Sequence, residues 1–291
     1  MKTLLTDGSA AERLQNDRSP LRLLSYAILV IITLLTLIPL IWMVSTGVKT
    51  SGELTAFPPT ILPREPTLQP MFDAWQTGAW SRWFLNTFVI SIGATVVTLA
   101  ICTPAAYVLA RREFVGKRLL FVTIMAFLIF PAQVLLVPMF LIGVRLGFTN
   151  SYHGLIIMYA ALYSGFTTFL LWGFFQSLPS DVEDAAKITG IPEWKTFTHI
   201  ILPLTKPALG VAAIFVFIFA WNEYLWAVVF LNDSSMYTIS VGLPVFEGVH
   251  GQVAYNELMT MSTLASLPVL ILFVLTQESF IRGITTGYSF D

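Results

Sequence analysis

Six long apolar runs constrain the fold of this 291-residue chain more than any other feature. They cover residues 21–47, 83–110, 119–142, 154–175, 207–231 and 258–281. Each run is longer than the roughly 18 residues that mark a candidate transmembrane helix. Charged residues make up 11% of the chain, whereas soluble domains carry about 25%. The sequence therefore predicts an all-α integral membrane protein with six transmembrane helices.

Basic residues set the predicted orientation. Twelve of the 16 Lys and Arg residues fall in the N-terminal tail, in the loops after the second and fourth runs, and at the C-terminus. Loops rich in Lys and Arg stay on the cytoplasmic side, so we expect a multi-pass protein with both termini in the cytoplasm. The expected organisation is a cytoplasmic tail (1–20), a first helix with a Pro-rich external segment (21–82), a transmembrane domain (83–281) with a cytoplasmic loop at 180–203, and a second cytoplasmic tail (282–291).

The polar segment 181–207 interrupts the apolar pattern between the fourth and fifth runs. Ser180, followed three residues later by Glu183, is typical of a capping box that begins a helix. The acidic first turn that follows suits the positive end of the helix dipole. Gly190 can adopt the left-handed conformation that ends a helix, and Pro192 favours the first turn of a second one. The pattern predicts a helix–turn–helix that lies along the cytoplasmic membrane surface.

The first helix of this loop carries little bulk on one flank, because Ala185 and Ala186 follow its acidic turn. A second protein surface can approach such a flank closely, and the acidic turn supplies charge for a basic partner. The helix has little apolar face of its own, so we expect its order to depend on that partner. The alternative is an ordinary interfacial helix that lies on the bilayer.

The loop also carries a recognisable motif. It consists of an acid-Ala-Ala triplet, a glycine and an Ile-x-Leu-Pro stretch: Asp184-Ala185-Ala186, Gly190 and Ile200-Ile201-Leu202-Pro203. This pattern resembles the coupling-loop motif of permease subunits of binding-protein-dependent, ATP-driven (ABC) importers. Two positions depart from it, because the family commonly has Glu where this chain has Asp184 and Asp where it has Thr189.

Other stretches are similar to the carbohydrate branch of that family, which includes the smaller maltose permease subunit. They open the second run and lie within or at the end of the third, fifth and sixth runs: 83–87, 131–138, 221–224 and 277–283. The resemblance implies a type I ABC importer permease fold in a bacterial inner membrane. It also implies that a set of loop residues contacts an ATPase: Glu183, Asp184, Ala185, Ala186, Gly190, Ile200, Leu202 and Pro203.

The resemblance also implies a set of partners. These are a dimer of ATP-binding subunits, a second homologous permease subunit, an extracytoplasmic solute-binding protein and the surrounding membrane lipids. The solute would be a sugar or an oligosaccharide. ATP and Mg would be bound by the partner ATPase, so this chain would hold no cofactor or metal and would not itself be an enzyme.

Glu223 is the one charged residue deep in a predicted transmembrane helix. A charge there costs about 2.5–3.5 kcal/mol on insertion scales, so it should face a cavity or a partner. Its neighbours Trp221, Asn222 and Tyr224 offer stacking faces and hydrogen-bonding groups suited to sugar hydroxyls, and Trp221 and Tyr224 are three apart on one helix face. We predict either a lining of the solute pathway or packing against the partner permease. Weaker lining candidates lie in the third and fourth runs: Gln133, Tyr163 and Thr167.

Three rival functions find less support in the residues. A proton-coupled secondary transporter usually needs a relay of intramembrane acidic or His residues, and one Glu makes a poor relay. A membrane-embedded enzyme would need a metal site, a Gly-x-Ser-x-Gly elbow or a phosphate-binding loop, and the sequence has none of these motifs. The net charge of −1 gives no basic excess for nucleic acid. The solute stays open, with glycerol phosphate as the alternative to a sugar.

Overall fold

The computed structural model of the chain describes residues 20–247 and 254–286. The predicted N-terminal tail lies outside these ranges except for its last residue, and so do the last five residues of the predicted C-terminal tail. Every regular element that the two ranges contain is a helix. In chain order the α-helices are α1 (Pro20–Gly47), α2 (Ser51–Leu54), α3 (Gln69–Thr77), α4 (Trp80–Arg111), α5 (Lys117–Ile129), α6 (Leu136–Leu146), α7 (Tyr152–Ser177), α8 (Asp181–Ile188), α9 (Glu193–Lys195), α10 (Leu202–Leu204), α11 (Lys206–Asn222), α12 (Leu225–Phe230), α13 (Ile239–Gly242) and α14 (Tyr255–Thr286).

The helices that are long and apolar enough to cross a membrane follow the predicted runs. Among the described residues, α1, α4, α7 and α14 each contain an unbroken helix of this kind. Two further helix pairs meet the same test but are bent, by 97° between α5 and the stretch Ala132–Leu146 and by 74° between Glu193–Leu204 and α11. Counting each bent pair as one span gives six, which is the predicted number.

The third apolar run is divided into two helices at Pro131. Phe130 directly before this proline is extended, with φ −76° and ψ 127°, because a proline ring disfavours the helical conformation of its predecessor. Pro131 also has no N–H to donate to the helix. The third predicted span is therefore a bent pair of helices, and the predicted number of spans is unchanged.

The larger of two compact units comprises the described residues within 74–253 and 264–291. Its centre is α4, which packs along α7 and against α11. Buried threonines of α4 donate their hydroxyl groups to carbonyls four residues earlier in the same helix, as Thr87, Thr95 and Thr98 do at 2.6–2.7 Å. Because these bonds stay within the helix, the small side chains let neighbouring helices approach closely.

Two apolar clusters fill this unit. The first, called here the break-side core, lies around the junction of α11 and α12 and includes Ile90, Leu155, Tyr159, Trp226 and Phe230. The second, the loop-side core, lies beneath the polar loop that follows α7 and comprises Ala106, Tyr107, Leu171, Phe175, Ile201, Ala208 and Ala212.

The start of α4 holds the segment that leads into α13. The indole of Trp83 donates to the carbonyl of Ser234 at 2.7 Å, and the amide of Asn86 donates to that of Tyr237 at 2.8 Å. The hydroxyl of Thr87 accepts the N–H of Ile239 at 2.9 Å. Three residues of the stretch 83–87 therefore hold a loop in place on one side of the bundle.

The smaller unit comprises the described residues within 1–73 and 254–263. Here the start of α14 holds the end of α1: the Thr260 hydroxyl donates to the carbonyl of Gly47 at 2.5 Å, and the Asn256 amide donates to that of Lys49 at 3.2 Å. A Cβ at Gly47 would lie 2.9 Å from the Thr260 backbone nitrogen, so glycine permits this close approach. The side chains of residues 23–44 are unburied, as expected of an apolar helix that faces lipid.

Candidate functional site

The polar loop between α7 and α11 folds into two helices with a turn between them, which confirms the predicted helix–turn–helix. α8 is followed by a continuous helical stretch, Glu193–Leu204, that contains a π-helical segment at Thr196–Ile201. Gly190 in the turn has φ +73°, the left-handed conformation that favours glycine. The stretch meets α11 at 74°, so it runs across the direction of that span.

The predicted capping box is absent. Ser180 has helical backbone angles, φ −67° and ψ −26°, and its side chain makes no capping hydrogen bond. The N–H of Glu183 donates to the Ser180 carbonyl instead, at 2.9 Å. The Glu183 carboxylate is turned towards two arginines, because guanidinium groups are stronger partners for a carboxylate than one backbone N–H. The capping-box prediction was therefore wrong.

Glu183 joins α8 to the end of α4. Its Oε2 accepts a hydrogen bond from Nη1 of Arg112 at 3.2 Å, and its Oε1 lies 3.3 Å from Nε of Arg111. The second contact is an ion pair whose geometry is not that of a hydrogen bond. Arg111 also donates to the carbonyl of Leu178. The Glu183 side chain is 6% exposed, and a carboxylate so buried is stable where cations satisfy it.

Arg112 connects both helices of the loop to α4. Besides its bond to Glu183, its Nη2 donates to the Tyr107 hydroxyl at 3.0 Å and lies 3.5 Å from Oε1 of Glu193. Glu193 is 73% exposed, so its pairing contributes little to stability. The buried Glu183 contact is therefore the stronger link between the loop and the end of α4.

Apolar contacts anchor the loop from beneath. Ile201 is part of the loop-side core, and Val182 and Phe197 pack against that core. The rings of Phe197 and Tyr107 lie 4.9 Å apart. At the bend before α11, the fully buried Thr205 donates its hydroxyl to the Ile201 carbonyl at 2.7 Å. The order of α8 was expected to depend on a partner, but this chain supplies its anchors.

The predicted coupling residues fall on two sides of the loop. Ala186 is 3% exposed and lies against this chain together with Glu183, whereas Ala185 is exposed. The expectation of one free flank therefore holds for Ala185 and not for Ala186. Of the rest, Asp184, Gly190 and Pro203 are exposed, and Ile200 and Leu202 are half-buried.

The outer face of the loop carries exposed apolar side chains. Ile188 is 87% exposed and Trp194 is 62% exposed. Asp184 pairs with Lys187 at 3.1 Å on the same surface. Around Gly190 there is open space, since a Cβ there would meet nothing within 4 Å. An exposed Ile and Trp beside a small, sharp turn are typical of a surface that another protein covers.

Glu223 lies at a break between α11 and α12, with extended backbone angles of φ −70° and ψ 128°. Its Oε2 accepts a hydrogen bond from the Tyr159 hydroxyl at 2.6 Å. The carboxylate also accepts the N–H groups of Trp226 at 2.8 Å and Ala227 at 2.9 Å, near the start of α12. These donors offset the cost of burying the charge, and the N-terminal end of a helix favours an anion. The prediction of a continuous fifth helix was therefore wrong.

The neighbours of Glu223 have different surroundings. Trp221 is 3% exposed, and its indole donates to the carbonyl of Ala265 at 3.1 Å. Asn222 and Tyr224 are exposed. Trp221 and Tyr224 were expected to share one helix face, and this is wrong because α11 ends between them.

The other predicted pathway residues also differ in how far they are exposed. Gln133 is exposed in the turn that follows Pro131, whereas Thr167 is fully buried and donates its hydroxyl to the Tyr163 carbonyl at 2.9 Å. Tyr163 is half-buried, with its ring 5.6 Å from that of Phe219. Three of the seven candidates are thus exposed: Gln133, Asn222 and Tyr224.

The side-chain partners of the Glu183 and Glu223 carboxylates were missed in the sequence. Arg111 and Arg112 were used only to predict the orientation of the chain in the membrane, and Tyr159 was not predicted to have a functional role. A signal did exist for the arginines: two cations end the second run, and an acidic turn begins a loop on the same predicted side of the membrane. No comparable local signal marks Tyr159, which lies 64 residues from Glu223.

Comparisons with known proteins agree with this geometry. Residues 102–286 match the family described as "Binding-protein-dependent transport system inner membrane component". The diacetylchitobiose uptake system permease protein NgcG of Streptomyces coelicolor is 30% identical over 91% of this chain and 87% of its own length. The sulfoquinovosyl glycerol transport system permease protein SmoH of Agrobacterium fabrum is 33% identical over 92% of this chain and 93% of its own length.

A solved structure shares the fold. It is a chain in the crystal structure of a bacterial ABC transporter involved in the import of the acidic polysaccharide alginate, and it matches with a TM-score of 0.79 at 21% identity. The match covers 95% of this chain and 99% of that one. Since the family match also spans the polar loop and the break at Glu223, the chain belongs to the binding-protein-dependent transport system inner membrane components.

Proposed function

We propose that this chain is one of two homologous permease subunits of an ATP-driven importer of a sugar or oligosaccharide. The family match supports a membrane component that works with a solute-binding protein. The names of two relatives specify carbohydrate derivatives, diacetylchitobiose and sulfoquinovosyl glycerol. In the proposed assembly the binding protein delivers the solute from outside, and the second permease subunit completes the pathway.

The exposed outer face of the loop is the observation that carries this proposal. Ile188 and Trp194 offer apolar contacts, Asp184 offers a charge, and the open turn at Gly190 lets a second backbone come close. In the proposal this face seats in a cleft of a cytoplasmic ATP-binding subunit. Two copies of that subunit bind ATP and Mg and carry out the hydrolysis, so this chain is not the enzyme.

The inner contacts of the loop transmit the motion. A displacement of α8 reaches α4 through Glu183 and its two arginines, because the ion pairs join these helices directly. A displacement of Glu193–Leu204 reaches α11 through the bend at Thr205. In the proposal these two routes rock α4 and α11 and open the pathway alternately to either side of the membrane.

The exposed residues at the helix break are the proposed pathway lining. Asn222 and Tyr224 present an amide and an aromatic face, which suit the hydroxyl groups and apolar faces of a sugar. Gln133 is a third exposed candidate. Trp221, Thr167 and the Tyr159–Glu223 pair are buried or bonded within the chain, so in the proposal they support the lining from behind.

Identification of the solute tests the proposal. The solute-binding protein whose gene lies beside the gene for this chain is purified, and the ligand that it retains is identified by mass spectrometry. Uptake of that ligand is then followed in proteoliposomes that hold both permease subunits and the ATP-binding subunits. We expect a sugar or oligosaccharide whose uptake requires the binding protein outside and ATP at the ATP-binding subunits. Uptake by this chain alone under a proton gradient would show a secondary transporter instead.

A further inference from the structure

An open cavity of about 860 Å³ lies where the ends of α4 and α7 meet the start of α5. This volume falls within the roughly 300–1,000 Å³ of pockets that hold small organic ligands. Most of its walls are apolar: Leu109, Phe114, Leu119, Phe121, Val122 and Trp172. Leu119 and Val122 are 72% and 54% exposed. The cavity therefore opens onto the surface that the apolar helices present to lipid.

The charged residues of the cavity belong to the loop between α4 and α5 and to the first turn of α5. They are Glu113, Lys117 and Arg118. Lys117 pairs with Glu113 at 2.7 Å, but the Glu113 side chain is 90% exposed, and such a pair is weak. Arg118 is exposed and forms no ion pair with another residue that the structure describes.

The electrostatics at the start of α5 favour an anion. The N-terminal end of a helix is partially positive, and this 13-residue helix begins with Lys117 and Arg118. Its first turn holds no acidic residue, and its N-cap, Gly116, has no side chain to accept the first N–H groups. Two cations at the positive end of a helix repel that end, so a bound anion would remove an unfavourable interaction.

We propose that this cavity binds one anionic phospholipid. The phosphate meets the side chains of Lys117 and Arg118 and the N–H groups of Arg118 and Leu119, since the N–H of Lys117 already donates to the Phe114 carbonyl at 3.2 Å. The parts of the acyl chains nearest the headgroup lie along Leu119 and Val122. The rings of Phe121 and Trp172 lie 4.6 Å apart in the wall, and tryptophan is common at the depth of lipid headgroups. Basic pockets between transmembrane helices on the cytoplasmic side suit anionic headgroups.

A phospholipid fits this cavity better than free phosphate or a protein segment. Free phosphate would use the two cations but would leave the apolar walls uncovered. The cavity is continuous with the lipid-facing sides of Leu119 and Val122, where acyl chains are already present in a membrane. This site is separate from the outer face of the loop, so it does not depend on which solute is carried.

Native mass spectrometry of the assembled, delipidated transporter tests the site. Phosphatidylglycerol and phosphatidylcholine are titrated separately, and retained lipid is counted. Because each basic residue near an anionic membrane contributes on the order of a fivefold change in binding, Arg118→Gln should weaken phosphatidylglycerol retention about fivefold and the double variant with Lys117→Gln about 25-fold. Phosphatidylcholine retention should not change. Arg145→Gln removes an exposed cation at the end of α6, outside the cavity, and should leave both lipids unaffected.

Three results would overturn the proposal. They are equal retention of both lipids by the unaltered protein, unchanged phosphatidylglycerol retention in the double variant, and complete displacement of the lipid by millimolar inorganic phosphate. If the double variant does not assemble, phosphatidylglycerol retention by the Leu119→Trp variant tests the site instead. It narrows the apolar wall without removing a charge, so weaker retention supports the site and unchanged retention contradicts it.

Discussion

Glu183 is the residue on which the geometry of the loop depends most. Its carboxylate stands between two guanidinium groups and is 6% exposed, so water screens these charges little. Removal of the carboxylate would leave Arg111 and Arg112 facing each other without a common anion. The neighbouring Asp184 differs in this respect, because its side chain is 59% exposed and pairs only with Lys187 across the surface.

Glu183→Gln should therefore destabilise the protein and Asp184→Asn should not. We expect a loss of about 2 kcal/mol for Glu183→Gln, since a buried hydrogen bond to a charged group contributes about 1.5–3 kcal/mol. For Asp184→Asn the expected change is within about 0.5 kcal/mol, as for most exposed substitutions. Thermal unfolding of the purified protein in detergent measures both. Equal effects of the two substitutions would contradict the role of Glu183 as an internal anchor.

At the scale of elements, the residues around the break between α11 and α12 include both buried and exposed candidates for the pathway lining. Trp221 packs inside, whereas Asn222 faces outward and its amide bonds only to the carbonyl of Ile218, at 2.8 Å among the described contacts. The side chain is therefore free to exchange that bond for one with a solute hydroxyl. Glu223 maintains the break because it accepts N–H groups near the start of α12.

Asn222→Ala should raise the KM for solute uptake and leave assembly intact. Loss of one or two hydrogen bonds of about 1 kcal/mol each predicts a rise of roughly five- to thirtyfold. Uptake kinetics in proteoliposomes measure the change, and Asn232→Ala, an exposed asparagine after α12, is the control. An unchanged KM together with loss of the second permease subunit on purification would show that Asn222 packs against that subunit.

The elements could be predicted where the determining signal was local. Gly190 and Pro192 indicated the turn of the loop, and six apolar runs indicated the spans. The capping box failed because Ser180 and Glu183 satisfy the local pattern while Arg111 and Arg112, about 70 residues away, compete for the same carboxylate. The break at Glu223 was hidden for the same reason, since its partner Tyr159 lies on another helix.

For the whole molecule, the proposed mechanism requires a defined orientation. The α4–α5 loop and the loop between α7 and α11, counted together with the helix ends beside them, carry seven Lys and Arg residues. The structure joins the two loops through Glu183 and Arg112. They must therefore face the same side of the membrane. The segment between α12 and α13, which α4 holds at its other end, should face the opposite side.

Single-cysteine labelling measures this orientation. Cys102 is the only cysteine, so Cys102→Ser gives a background without thiols. We expect Glu113→Cys and Lys187→Cys to react with a membrane-impermeant maleimide only in inside-out vesicles, and Ser234→Cys to react only in intact spheroplasts. Reaction of Lys187→Cys from the outside would place the loop on the wrong side for an ATP-binding subunit.

ATP hydrolysis by the reconstituted transporter decides whether the outer face of the loop docks the ATPase. Ala185 is exposed on α8, whereas Ala186 is buried in this chain, so Ala185→Trp adds bulk to the docking face without disturbing the internal anchors. With solute-loaded binding protein present, we expect Ala185→Trp to abolish the stimulated hydrolysis and Ala185→Ser to retain it, with both variants equally stable. Full stimulated hydrolysis by Ala185→Trp would contradict the docking role of this loop.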